Sequence, residues 1–280
     1  MESWEGSRLS CMMGEREMET SEILSALKNA ELILVGLGEE FNDAKRLREC
    51  GEYEKGCAFL RERDCLWLLP AWGEYCSRRL GGACVEETLQ KLAALLVGRN
   101  YFAVATAVDS RVALAPWKPG RIVMPCGTGL KKQCEKGCPE SVADLEETDR
   151  EHIEKLFTAL FEGRPVSEEE CLPGSCKVCG GRMILNNVYA ENYAESGYEE
   201  QWKLYTKWLQ GTLNRSLAVL ELGVGMQFPT VIRWPFEKIV FFNRQARLIR
   251  VHEKLYQLTE ELAQKGWGIA QNAIEWLRIL

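Results

Sequence analysis

Short unbroken apolar runs alternate along this chain with stretches that repeat at the helical period. The runs at Leu32–Val35 (LILV), Asn100–Thr106 (NYFAVAT) and Leu217–Leu222 (LAVLEL) are bounded by turn residues, as strands buried on both faces are. Arg247–Val251 and Trp267–Ala270 read as two further short strands. Between them lie amphipathic segments. Thr20 or Ser21 can cap a helix carrying Ile23, Leu24 and Leu27 on one face. Glu86–Val97 places Leu89, Leu92, Ala93 and Leu96 in a stripe, Tyr198–Leu213 does the same with Trp202, Tyr205 and Leu209, and Ala273–Leu280 closes the chain as a helix. Such alternation predicts an α/β fold: a parallel sheet with helices on both faces. Residues 1–20 read as a loose tail. Residues 43–85, with Trp67, Trp72 and Tyr75 around Pro70, read as short helices covering a sheet edge or a cleft.

Two of the buried runs end in glycines. The first strand is followed by Gly36-Leu37-Gly38, and Leu217–Leu222 by Gly223-Val224-Gly225 and then Pro229. Glycines after a buried strand let backbone approach a ligand and expose N–H groups, and they equally suit a bare strand-to-helix turn. The Gly-x-Gly opening lacks the third glycine of the dehydrogenase fingerprint, because position 41 is Phe, so hydride transfer is not expected. Composition narrows the field further. Hydrophobic content of 46%, charged content of 27% and a net charge of −6 belong to a globular protein that does not work by phosphate neutralisation of nucleic acid. No run approaches the roughly 18 apolar residues that a membrane span needs, and the N-terminus carries no apolar leader, which together point to the cytoplasm.

Cysteine spacing carries the most specific chemistry. Cys134 and Cys138 are separated by three residues and Cys176 and Cys179 by two, with Gly137 and Gly180 beside them. Two close thiol pairs on turns supply four soft ligands for a tetrahedral, closed, structural Zn²⁺ site; unliganded thiols in a loop-rich insert are the competing reading. The acidic stretch between the pairs is expected to form a helix around Ala143–Phe161. The other cysteines lack ligand spacing. Cys126 has no histidine near it in sequence to activate it, and His152 and His252 read as ordinary surface or core residues.

The order of these features (Gly-x-Gly after the first strand, a strand ending in ATAVD, a four-cysteine insert and LELGVG…PTVIRWPFE) resembles the sirtuin family, most closely its bacterial branch found beside macrodomain genes. The resemblance runs from about Ala30 to the C-terminus. It implies a Rossmann-like NAD-binding-type domain from 21–120 and 186–280, with 43–85 as helical cover of the cleft, and a small zinc-ribbon insert at 121–185. It also implies NAD⁺ or ADP-ribose between the two and a protein substrate or partner, with lysine deacylation or ADP-ribosyl transfer as the activity. Gly36, Gly38, Thr106, Asp109, Gly223, Val224, Gly225 and Arg233 then fall at cofactor-binding positions, and Asp109 and Cys126 at catalytic ones.

Departures from the family pattern are as informative. Where the family has GAGxS or GAGAGLS, this chain reads Gly36-Leu37-Gly38-Glu39-Glu40-Phe41-Asn42, placing two carboxylates where phosphates belong. Like charges held close in a partly buried site repel by on the order of several kcal/mol. In the family's T-x-N-x-D motif the Asn position is Ala107 while Asp109 is kept; the general-base His aligns with Cys126, and the Asn that closes on the adenine ribose with Arg250. The expectation is a sirtuin-like protein that is weakly active or inactive, or a non-catalytic module for a nucleotide or protein partner.

Overall fold

The structure, a computed structural model, describes residues 20–81, 83–166 and 174–280. All of the tail but Thr20 lies outside these residues, as do Cys11 and Cys171. Helix α1 spans 20–29 and is followed by strand β1 (Leu32–Leu37), every residue of which is buried. Strand β2 is Asn100–Ala105, β3 is Ile122–Val123, β7 is Leu217–Leu222, β8 is Ala246–Val251 and β9 is Gly266–Ile269. Together they form one six-stranded sheet in the order β3-β2-β1-β7-β8-β9, with every pairing parallel. The chain adds strands to one side of β1, then returns to add the rest on the other. That is the doubly wound arrangement, and its topological switch point lies between β1 and β7.

The two-residue period of a strand sorts the apolar runs onto two faces. Ile33, Val35 and Leu37 pack with Val85, Leu89 and Leu92 of α5 (Ala83–Leu95) and with Ile274 and Leu277 of α10 (Ala273–Ile279). Leu32 and Leu34 face the other way, against Tyr205 of α8 (Glu199–Gln210) and Phe236 and Val240 of α9 (Arg233–Phe242). Gly36 is a packing glycine: a Cβ there would sit 2.7 Å from Ile232 and 2.9 Å from Phe236, so its absence lets α9 lie close on the sheet. Helix α9 hides in the sequence because Pro235 stands in its first turn, where the missing N–H has no intrahelical acceptor anyway.

A second layer covers the β1 and β2 ends. Helices α2 (Ala44–Leu47), α3 (Gly51–Glu62), α4 (Leu69–Arg79) and α7 (Glu147–Phe161) form it, with α6 (Ser110–Leu114) following β2. Its core is aromatic: Trp72 lies 5.7 Å from Tyr75 and 5.4 Å edge-on to Phe157, and its indole N–H donates to Tyr53 O at 3.0 Å. Helix α7 begins later than the sequence suggests. Asp149 reaches back to accept the Glu146 N–H at 2.9 Å and starts the helix at Glu147, while Ala143–Asp144 form β5. Strand β5 joins β4 (Gly127–Cys134) and β6 (Met183–Asn187) in a separate antiparallel sheet of order β5-β4-β6. Among the described residues no helix is long and apolar enough to cross a membrane.

Candidate active-site cleft and metal centre

At the switch point the loops after β1 and β7 touch. The Gly38 N–H donates to Leu222 O at 2.8 Å, and a Cβ on Gly38 would lie 2.2 Å from Gly223 O, so only glycine allows this approach. A 3-10 turn, Glu39–Asn42, follows at once and points both glutamates into the loops around it. Glu39 Oε2 accepts the Gly225 N–H at 2.6 Å. Glu40 Oε1 accepts the Glu253 N–H at 2.9 Å, and its Oε2 the Ala273 N–H at 2.7 Å. Gly223 has φ +60, and a Cβ there would be 2.6 Å from Glu40 Cβ. Main-chain donors from three loops are therefore turned onto two carboxylates of the same chain. Beside them is a cavity of ≈300 Å³, bordered by Arg48, Gln227, His252 and Lys254 as well as Glu39 and Glu40.

The charged residues under the β7 loop are structural fasteners in this arrangement. Arg233 is buried; its Nη2 donates to Val224 O at 2.6 Å and Leu255 O at 2.9 Å, tying the β7 and β8 loops together. The register of β7 and β8 sets Arg250 opposite Glu221. Arg250 forks onto Glu221 at 2.7 and 3.1 Å and also donates to Glu237 and Gln257 O. Burial pushes Glu221 above the usual carboxylate range, with Arg250 and Arg233 opposing it.

On the β2 side, Thr106 is buried and its N–H donates to Leu37 O at 2.9 Å; Ala107 is buried in the apolar core beneath it. Asp109 caps α6 by accepting the Arg111 N–H at 2.8 Å and is also gripped by the Arg111 guanidinium at 2.7 Å. The same guanidinium donates to Ser77, whose hydroxyl donates to Asp43. Neighbouring Glu74 accepts from the Ser110 N–H and hydroxyl; burial first, and the Asp109 charge second, push it upward. Cys126 is 1% exposed, and burial, with the Glu39 carboxylate nearby, drives its thiol up to about 12. Tyr189, whose hydroxyl accepts from Gln227 at 2.9 Å, is pushed upward by burial first, with Cys126 and Glu39 adding to it.

The predicted cleft residues thus fall in four places, Cys126 directly before β4 and near Glu39 being one of them. Gly38, Gly223, Val224, Gly225 and Arg233 meet at the switch point, Thr106 and Asp109 lie in the turn between β2 and α6, and Gly36 lies one step inside β1 against α9. Sequence reasoning missed the linkers of this region, Tyr189, Gln227, Ser110, Glu74 and Arg111, which carry no motif and come together only through the fold.

The four cysteines converge. Cys134 ends β4, Cys138 follows in its turn, and Cys176 and Cys179 sit on a turn before β6, their sulfurs all within 4.8 Å of one another. Gly137 and Gly180 both take φ +68, the left-handed conformation these tight turns need. Cys134 and Cys179 sulfurs are 3.6 Å apart, close to the edge of about 3.8 Å expected for a tetrahedron of Zn–S bonds. Burial works to raise the Cys134 thiol, but the N–H groups of Cys138 and Lys136 and the facing thiols outweigh it and hold it below the ordinary thiol range. A soft four-thiolate donor set of this spacing fits a metal ion.

No family model matches this sequence. Among curated proteins it is similar to a protein ADP-ribosyltransferase of Staphylococcus aureus, 20% identical over 95% of this chain and 88% of that one. It is also similar to a probable bifunctional ADP-ribose hydrolase/ADP-ribosyltransferase of Fusarium oxysporum f. sp. cubense, 27% identical over 55% of this chain and only 26% of that protein. Among solved structures it superposes on Sir2Tm bound to a propionylated peptide with a TM-score of 0.52, 14% identity and coverage of 93% of this chain and 96% of that one. A Sir2 mutant with a p53 peptide and NAD also gives 0.52 at 14% identity, over 92% and 95% of the two chains. The fold is that of the sirtuins. The superposition on Sir2Tm spans 93% of this chain.

Proposed function

We propose that this is a sirtuin-like protein of the NAD-dependent deacylase and ADP-ribosyltransferase kind whose own cleft is weakly active or inactive. One observation carries the reading: the Gly225, Glu253 and Ala273 N–H groups around the switch point are taken by Glu39 and Glu40. A pyrophosphate at those donors would have to displace two carboxylates and then share the site with their charge. The residues present do not fit NAD⁺ in this arrangement. Asp109 and Cys126, the catalytic candidates, point the same way, the first held by Arg111 and the second a protonated buried thiol. Residues 21–120 and 186–280 would form the cleft domain, and 121–185 the small one. Within the cleft, Gly36, Gly38, Thr106, Gly223, Val224, Gly225 and Arg233 would shape the wall. Cys134, Cys138, Cys176 and Cys179 would hold one structural zinc with no open position.

A second reading, a non-catalytic module for a nucleotide or protein partner, is favoured by Arg233 and Arg250 acting as fasteners within the fold. Incubation of zinc-replete protein with NAD⁺, scored by nicotinamide release, tests the main proposal. Release indistinguishable from buffer, or at least about a thousandfold below that of an active sirtuin run beside it, is expected. Nicotinamide release at a rate matching that enzyme would overturn it.

A further inference from the structure

The end of the sheet opposite the cleft carries a second opening. Between the last turns of α8 and the amino ends of β1 and β2 runs an open groove of ≈510 Å³. Leu32, Phe102 and Trp208 form its apolar part, the two aromatic rings tilted 45° to each other. Phe102 is buried, and Trp208 stands half-buried with its ring 5.9 Å from Phe102. The Trp208 indole N–H donates to Asn100 Oδ1 at 2.8 Å, which fixes the ring plane before any ligand arrives.

The side chains that line the rim carry positive charge. Arg121, Lys207 and Arg215 line the groove; among the described residues no carboxylate lines it, and Glu31 stands at its edge, in a chain whose net charge is −6. Arg215 is already spoken for, with Nε and Nη2 at 3.0 and 2.6 Å from Glu31 at the edge. Arg121 and Lys207 have no ion-pair partner among the described residues. Two uncompensated cations over a pinned aromatic face suit a ligand with a flat ring at one end and more than one negative charge at the other.

We propose that this groove binds a nucleoside diphosphate, its base stacked on Trp208 and its phosphates on Arg121 and Lys207. The site is independent of the cleft: it uses none of the switch-point residues and does not need NAD⁺ chemistry.

Calorimetric titration of the full chain with ADP, pyrophosphate and adenosine tests it. ADP should bind, and the two fragments should each bind at least about tenfold more weakly, since each keeps half of the recognition. Raising the salt should weaken ADP binding. Arg121→Ala/Lys207→Ala, which changes only groove-rim side chains, should cost about tenfold or more in ADP affinity, and Trp208→Leu a similar factor if circular dichroism shows it folded. Glu39→Ala/Glu40→Ala should leave the Arg121- and Lys207-dependent part unchanged. The proposal is overturned by absence of ADP binding, by binding that survives the Arg121→Ala/Lys207→Ala change, or by an oligonucleotide or acidic peptide binding where ADP does not.

Discussion

Cys126 and His252 show how burial decides what a reactive side chain does here. A thiol raised to about 12 by its apolar surroundings leaves on the order of one molecule in ten thousand as thiolate at pH 8. Iodoacetamide should therefore label Cys126 in the native protein far more slowly than in the urea-unfolded chain, read by peptide mass spectrometry. Equal rates would mean the cleft opens freely. His252 is a different case. Its Nδ1 accepts the Lys254 and Leu255 N–H groups at 3.0 and 3.1 Å, which only a ring unprotonated at that nitrogen can do. Burial first, and the Arg233 charge second, hold it below its ordinary value of about 6.5. Between that value and the lowered one the unfolded chain binds more protons than the folded one, so stability falls as the pH drops through about 6.5. His252→Asn keeps an acceptor but cannot titrate. Melting temperatures of the two proteins should diverge on acidification below about pH 6.5, the wild type losing more. Parallel profiles would remove His252 as the cause.

Elements differ in how far their own sequence specifies them, and the small sheet depends most on something outside it. Strands β4 and β6 are joined at the cysteine turns, and among the described residues Cys134, Cys176 and Met183, with Cys138 beside them, form the buried cluster there. A bound metal would be much of what holds that end together. Stripping it with a strong chelator should release about one zinc per chain and abolish amide protection in β4 and β6 while leaving β1 and β7 protected. Loss of both sheets together, or no change in either, would contradict a local structural role. The contrast tracks what was legible in the sequence. β1, β2 and β7 are apolar runs that belong in a sheet covered on both faces, and α5 has a clean stripe. β4 (GTGLKKQC) carries two lysines and two glycines, and its strand character comes from pairing with β6. The glycine loops and cysteine pairs could be placed by motif. The direction of Glu39 and Glu40 could not, because it is set by where the Gly225, Glu253 and Ala273 amides arrive from distant parts of the chain.

At the scale of the molecule, the doubly wound sheet brings two glycine loops together, and the Gly225 amide of one of them, with the Glu253 and Ala273 amides from beyond β8 and β9, is turned onto Glu39 and Glu40. Calorimetric titration with ADP-ribose tests this most directly, done in the Arg121→Ala/Lys207→Ala background so that only the cleft is read. Protein with Glu39 and Glu40 intact should give no heat of binding, whereas the added changes Glu39→Ala, Glu40→Gly and Ala107→Asn should bring binding into the micromolar range. Micromolar binding with both glutamates in place, or none after their removal from a folded protein, would contradict a cleft closed by its own carboxylates.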